Sequence, residues 1–116
     1  MSQTSQMTSS AHLELVDALP VVTSSTTSRV LVDNPAMRVV QFTFDAGEQL
    51  TEHSSPRAVA CILVAGALQF TVEGTAHDMR PGDVIYLAPG APHALMAQEA
   101  SRLALVMVDM EEGDKK

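Results

Sequence analysis

Pro81–His93, PGDVIYLAPGAPH, sets a Pro-Gly-Asp turn, a short apolar run and a second Pro/Gly turn ahead of a histidine. Pro81 fixes φ and Gly82 can take a positive φ, so the chain reverses there and Val84–Leu87 can enter a sheet as a buried strand. Pro89, Gly90 and Pro92 then break that strand and leave His93 at the start of the next one.

Outward from this stretch the pattern stays β. Immediately upstream, Thr75–Met79 makes a short return strand. Before it, Leu68, Phe70 and Val72 alternate with Gln69, Thr71 and Glu73 between the punctuating Gly66 and Gly74. Gly47–Gly66, GEQLTEHSSPRAVACILVAG, begins with a glycine, brings His53 to the end of a short strand, crosses a polar turn and closes on an apolar strand. Met37–Phe44 alternates Val40, Phe42 and Phe44 with Val39, Gln41 and Thr43, as a half-buried strand does, and follows an Asp33-Asn34-Pro35 turn after Val30–Val32. In Val59–Val64 and Leu103–Val108 both faces are apolar, so each should bury both sides. If Val59, Cys61 and Leu63 face inward, then Ala60, Ile62 and Val64 need a cover. That cover is either the chain itself or a second subunit.

Short strands separated by Gly/Pro turns, with no helical stretch of normal length, describe an all-β jelly roll or small barrel. Ala11–Leu19, with Leu13, Val16 and Leu19 ahead of Pro20, suits either one helical turn or an extended arm, and Thr23–Ser28 either an edge strand or a loop. Met1–Ser10 is Ser/Thr/Gln-rich with nothing to bury and is expected to be a disordered tail. Residues 11–110 then form one domain, followed by a charged tail over 111–116.

Composition narrows the partners. With 116 residues the chain holds one core. A net charge of −7 and a pI near 4.8 oppose contact with nucleic acid or an anionic membrane, and 3% aromatic content leaves few rings for stacking bases. The single cysteine excludes an intrachain disulfide. No apolar run approaches a membrane span and the first residues lack signal-peptide character, so a cytoplasmic setting is expected.

The stretch Pro81–His93 resembles the second motif of the cupin superfamily, and Gly47–Gly66 resembles the first. The resemblance implies a double-stranded β-helix, a cupin jelly-roll barrel of two facing sheets with a pocket at one open end. It also implies a homodimer, since cupins commonly pair through a sheet face. In the family the first motif supplies two histidines spaced one apart and a glutamate, and the second supplies a third histidine. His53 and His93 match two of these positions. Ser55 stands where the second histidine belongs and Val59 where the glutamate belongs, while Ala88 and Ala97 replace a proline and an asparagine common in the second motif.

A catalytic cupin metal usually takes about three or four protein ligands, so the matched positions offer a reduced set for iron, zinc, manganese or nickel. His77, with the parity of Met79, is a candidate third ligand beside His53 and His93; the alternative is two pocket histidines satisfied by hydrogen bonds or water. Without metal, His53, Ser55 and His93 make a polar end to an apolar barrel. Arg57 at its rim could meet a ligand carboxylate or phosphate, and Tyr86 could offer a hydrogen bond into the pocket. A solvated loop arginine and a core-filling tyrosine are the plainer readings of those two. Cys61 reads as a small buried hydrophobe, and Met37, Met79, Met96 and Met107 as core filler. Two functions follow from different classes. One is a small-molecule-binding protein, a sensor or accessory protein with no reaction of its own. The other is a metal-dependent oxygenase, isomerase or lyase on a small organic substrate.

Overall fold

A computed structural model describes residues 5–110. One helical turn, α1 (Leu15–Ala18), precedes nine strands: β1 (Thr26–Asp33), β2 (Arg38–Phe44), β3 (Gln49–His53), β4 (Ala58–Ala65), β5 (Leu68–Val72), β6 (Thr75–Met79), β7 (Val84–Leu87), β8 (His93–Ala97) and β9 (Ser101–Val108). They form a five-stranded sheet in the order β1-β2-β9-β4-β7 and a four-stranded sheet in the order β3-β8-β5-β6. Every pairing is antiparallel. Apart from the β1–β2 and β5–β6 hairpins, paired strands are not consecutive in the chain, and the two sheets close over one another as the jelly-roll barrel expected from the turn pattern.

The inward faces meet in one core built on Phe44, Cys61, Leu63, Leu68, Phe70 and Leu103. Within β4, Val59, Cys61 and Leu63 are buried and Val64 is exposed, as the alternation requires. Two boundaries left open by the sequence are now fixed. Leu15–Ala18 is a helical turn, and Thr23–Ser28 divides into a loop and the start of edge strand β1. The tail reading of 1–10 lies partly, and that of 111–116 wholly, outside the described residues. No helix among the described residues is long and apolar enough to cross a membrane.

The half-buried reading of β2 needs a correction. Gln41 and Thr43, on its outward face, are buried as deeply as the inward residues. The reason lies across the sheet. Arg102, opposite Thr43 on the same outer face, is 5% exposed and donates from Nη2 to the carbonyls of Leu19 (2.8 Å) and Val16 (3.4 Å), and from Nη1 to that of Leu15 (3.4 Å). The guanidinium thus pairs with the Val16 and Leu19 carbonyls at the end of α1 and adds a second bond to that of Leu15, which already accepts the Leu19 N–H at 2.8 Å. Arg29 adds a bond to the carbonyl of Ala18, and Leu19 is buried beneath. The N-terminal arm is therefore the cover for one end of this outer face.

Among the described residues the other end has no such cover. Val84 pairs with Ile62 and Ile62 with Ala104; Tyr86 pairs with Ala60 and Ala60 with Val106. These outward residues make a continuous apolar strip across β7, β4 and β9, with Val84 60% and Tyr86 63% exposed.

Candidate functional site

The barrel encloses a cavity of about 190 Å³ at one end. All three phenylalanines of the chain line it: Phe42 and Phe44 from β2, stacked with centroids 5.8 Å apart, and Phe70 from β5. Leucines from β3, β7, β8 and β9, with Val59, Cys61 and Met107, complete the apolar wall. Three polar side chains also line the cavity, His53, Ser55 and His93. The alternation in the sequence puts Phe42 and Phe44 on one face of β2 and Phe70 on one face of β5. Alternation reports a face, not whether the opposing faces meet.

The two histidines come together through strand pairing. β3 runs antiparallel to β8, with His53 directly opposite His93, and the imidazole centroids lie 4.3 Å apart at 59°. Leu50 and His53 are three residues apart and would face opposite ways in a regular strand, but a register shift between them lets both line the cavity. His93 is buried and lies nearly parallel to Phe70, centroids 6.0 Å apart, while His53 sits exposed. Each ring is pinned by its own backbone: Nδ1 of His53 donates to the Thr51 carbonyl at 2.8 Å, and Nδ1 of His93 to the Ala91 carbonyl at 3.0 Å. A carbonyl only accepts, so both Nδ1 atoms carry a proton and a neutral ring has its lone pair on Nε2. The loops carrying these groups are joined, because the Gly90 N–H donates to the Ser55 carbonyl at 2.7 Å.

The remaining expected residues fall differently. Arg57 lies beside the cavity, its Nε donating to Asp109 Oδ1 at 2.8 Å and its Nη1 near Met107 Sδ, so it is a rim residue already engaged in a partly solvated ion pair. Tyr86 does not reach the cavity: Leu87 takes the inward position of β7, and one step of strand alternation turns Tyr86 out. His77 is opposite Phe70 on β6, the last strand of its sheet, where nothing beyond covers it; it is exposed and does not line the cavity.

These side chains can be weighed against a resident metal. Two imidazoles and a neutral hydroxyl fall short of the three or four ligands such an ion takes, and Val59, at the cavity wall, has no donor atom. Among the described residues no three His, Cys, Asp or Glu side chains gather in a group able to hold one. On their own the described side chains supply fewer ligands than a resident divalent metal takes.

Cys61, at 0% exposure, is held as a thiol, its pKa pushed from 9.0 to about 12 by burial, which penalises the thiolate. The stability this gives is fully present below pH 9.0. Above it the unfolded chain has released the proton while the folded chain retains it, so stability falls by roughly 1.4 kcal/mol per pH unit until about pH 12. Urea unfolding of the wild type and Cys61→Ala between pH 8 and 10 should therefore show a steeper decline in the wild type; equal slopes would contradict the buried thiol.

The Cupin domain family matches residues 40–109, more than half of the chain and inclusive of both histidines. The chain belongs to the cupin family. Among solved structures it is similar to a conserved protein of unknown function from Streptococcus pyogenes, at 28% identity and a TM-score of 0.81 over 96% of this chain and 97% of that one. It is also similar to a cupin superfamily protein from Desulfitobacterium hafniense, at 16% identity and a TM-score of 0.79 over 89% and 94% of the two chains. KdgF from Halomonas sp. shares 21% identity with a TM-score of 0.67 over 76% and 83%. The latter two likenesses concern the fold. Comparison with curated proteins gives no match.

Proposed function

We propose that this cupin is a cytoplasmic small-molecule-binding protein that takes its ligand into the barrel cavity, with His53, Ser55 and His93 as the polar contacts, Arg57 at the rim, and no reaction assigned. The observation that carries the reading is the form of the cavity: an apolar chamber of ligand size with a few polar groups. A thermal-shift screen for stabilising small molecules tests it, followed by titration of any hit. His53→Ala and His93→Ala should each weaken binding about tenfold, the scale of one lost hydrogen bond, while His12→Ala on the N-terminal arm leaves it unchanged. Unchanged affinity in both pocket variants would sink the assignment.

A second reading, a metal-dependent oxygenase, isomerase or lyase with a reduced ligand set, is favoured by one observation. Both imidazoles are oriented through Nδ1 by carbonyls, as metal-ligating histidines are. Elemental analysis of protein purified without a tag or added metal decides it: about one equivalent of iron, zinc, manganese or nickel per chain, lost in His53→Ala, would support it.

The expected homodimer is part of the proposal, with the uncovered strip around Val84 and Tyr86 as the contact and a second copy as its occupant. Tyr86→Asp should convert a dimeric species to a monomer in light scattering coupled to gel filtration. The acidic charge supports neither nucleic acid nor membrane as a partner.

A further inference from the structure

Resting on the binding reading, we infer that the ligand is a compact ring compound whose polar group is a hydroxyl, donated to Nε2 of His53 or His93. The argument begins from which hydrogen-bonding capacities remain free. Nδ1 of each histidine is committed to a backbone carbonyl, so each neutral ring offers only an acceptor, and neither Nε2 has a protein partner among the described residues. Ser55 Oγ accepts the Arg57 N–H at 3.2 Å, which leaves its own O–H as a donor. The polar lining thus holds two acceptors and one donor. The rest of the wall is hydrocarbon and sulfur.

A hydroxyl matches this inventory because it donates once, to a ring nitrogen, and accepts once, from the serine. A carboxylate brings only acceptors against two lone pairs and must leave water for an apolar chamber without a counter-charge inside it. A hydrocarbon fills the chamber but strips water from the ring nitrogens without replacing it. Size sets the other limit. A cavity of about 150 Å³ lined by apolar side chains accommodates benzene, so 190 Å³ takes one ring with a small substituent. The phenylalanine rings supply faces against which such a ring packs.

The test compares three probes that share a methylbenzene frame and differ in the para group, p-cresol with a hydroxyl, toluene with hydrogen and 4-methylbenzoate with a carboxylate, titrated into the whole protein at neutral pH. p-Cresol should bind about tenfold or more tightly than either of the others. That advantage should vanish in whichever of His53→Ala and His93→Ala removes the accepting ring and persist in His77→Ala; its survival in both pocket variants overturns the inference. A second readout needs no variant. In histidine ¹⁵N spectra of the wild type both Nδ1 atoms should report as protonated, and an Nε2 resonance should move when p-cresol is added. Toluene or 4-methylbenzoate binding as tightly as p-cresol, or rings protonated at Nε2 alone, overturns the inference and leaves the binding pocket standing. Failure of all three probes to bind saturably overturns the inference and counts against the pocket itself.

Discussion

Gly66→Ala is expected to destabilise the fold by about 4 kcal/mol, enough to lower the melting temperature by more than 10 °C in a domain of this size. Two penalties combine. Gly66 ends the apolar strand β4 with φ at +93°, a conformation in which a Cβ costs about 1–3 kcal/mol even with space around it. Here there is no space: an added methyl would meet Ser101 Oγ, the Ala100 carbonyl oxygen and, at 2.6 Å, Ser101 Cα. Backbone cannot swing aside as a side chain can. Ser101 is itself fixed, accepting the Ala67 N–H at 3.0 Å and donating to the Glu99 carbonyl at 2.7 Å. Gly74, at φ +84° with nothing within 4 Å, is the control that isolates the conformational part, and Gly74→Ala should cost about 1 kcal/mol. Chemical denaturation of the two variants beside the wild type measures both. Equal losses would mean that the contact with Ser101 gives way freely.

Arg102→Met should cost about 3 kcal/mol and release the N-terminal arm. The substitution keeps most of the buried stem but removes the guanidinium's bonds to the carbonyls of Leu15, Val16 and Leu19, so a charge-assisted network is lost and the Val16 and Leu19 acceptors are left unpaired. α1 is one turn long and cannot persist on propensity alone. Cleavage by chymotrypsin or thermolysin within residues 13–22 should therefore speed up well beyond what the fall in global stability explains, while the barrel stays resistant. Accelerated cleavage throughout the chain instead would show that the arm and barrel unfold together.

The two motifs made the barrel legible because proline and glycine mark where strands stop. β6, β7 and the start of β8 fall where Gly74, Pro81–Gly82 and Pro89–Pro92 put them. His53 and His93 match motif positions in the sequence, and strand pairing brings the two rings within 4.3 Å of each other. What escaped the sequence depended on partners far along the chain. Gln41 and Thr43 look like solvent-facing polar residues until Arg102 fastens an arm from the other end of the chain over them. Tyr86 and Leu87 differ by one step of strand alternation, and nothing local says which of the two faces the cavity. His77 shares the parity of Met79, yet parity is silent about a sheet's edge, where His77 is exposed.

Ser55 and Val59 already stand at the wall of the chamber, on backbone that the Gly90–Ser55 bond and the β4 ladder hold in place. In the family those two positions carry a histidine and a glutamate. The presence or absence of a full metal-ligand set on this scaffold is therefore a matter of side chains rather than of architecture. Kinship by shape alone is for that reason a poor guide to chemistry among such chains, and the identities at these two positions are the more telling character by which to sort them.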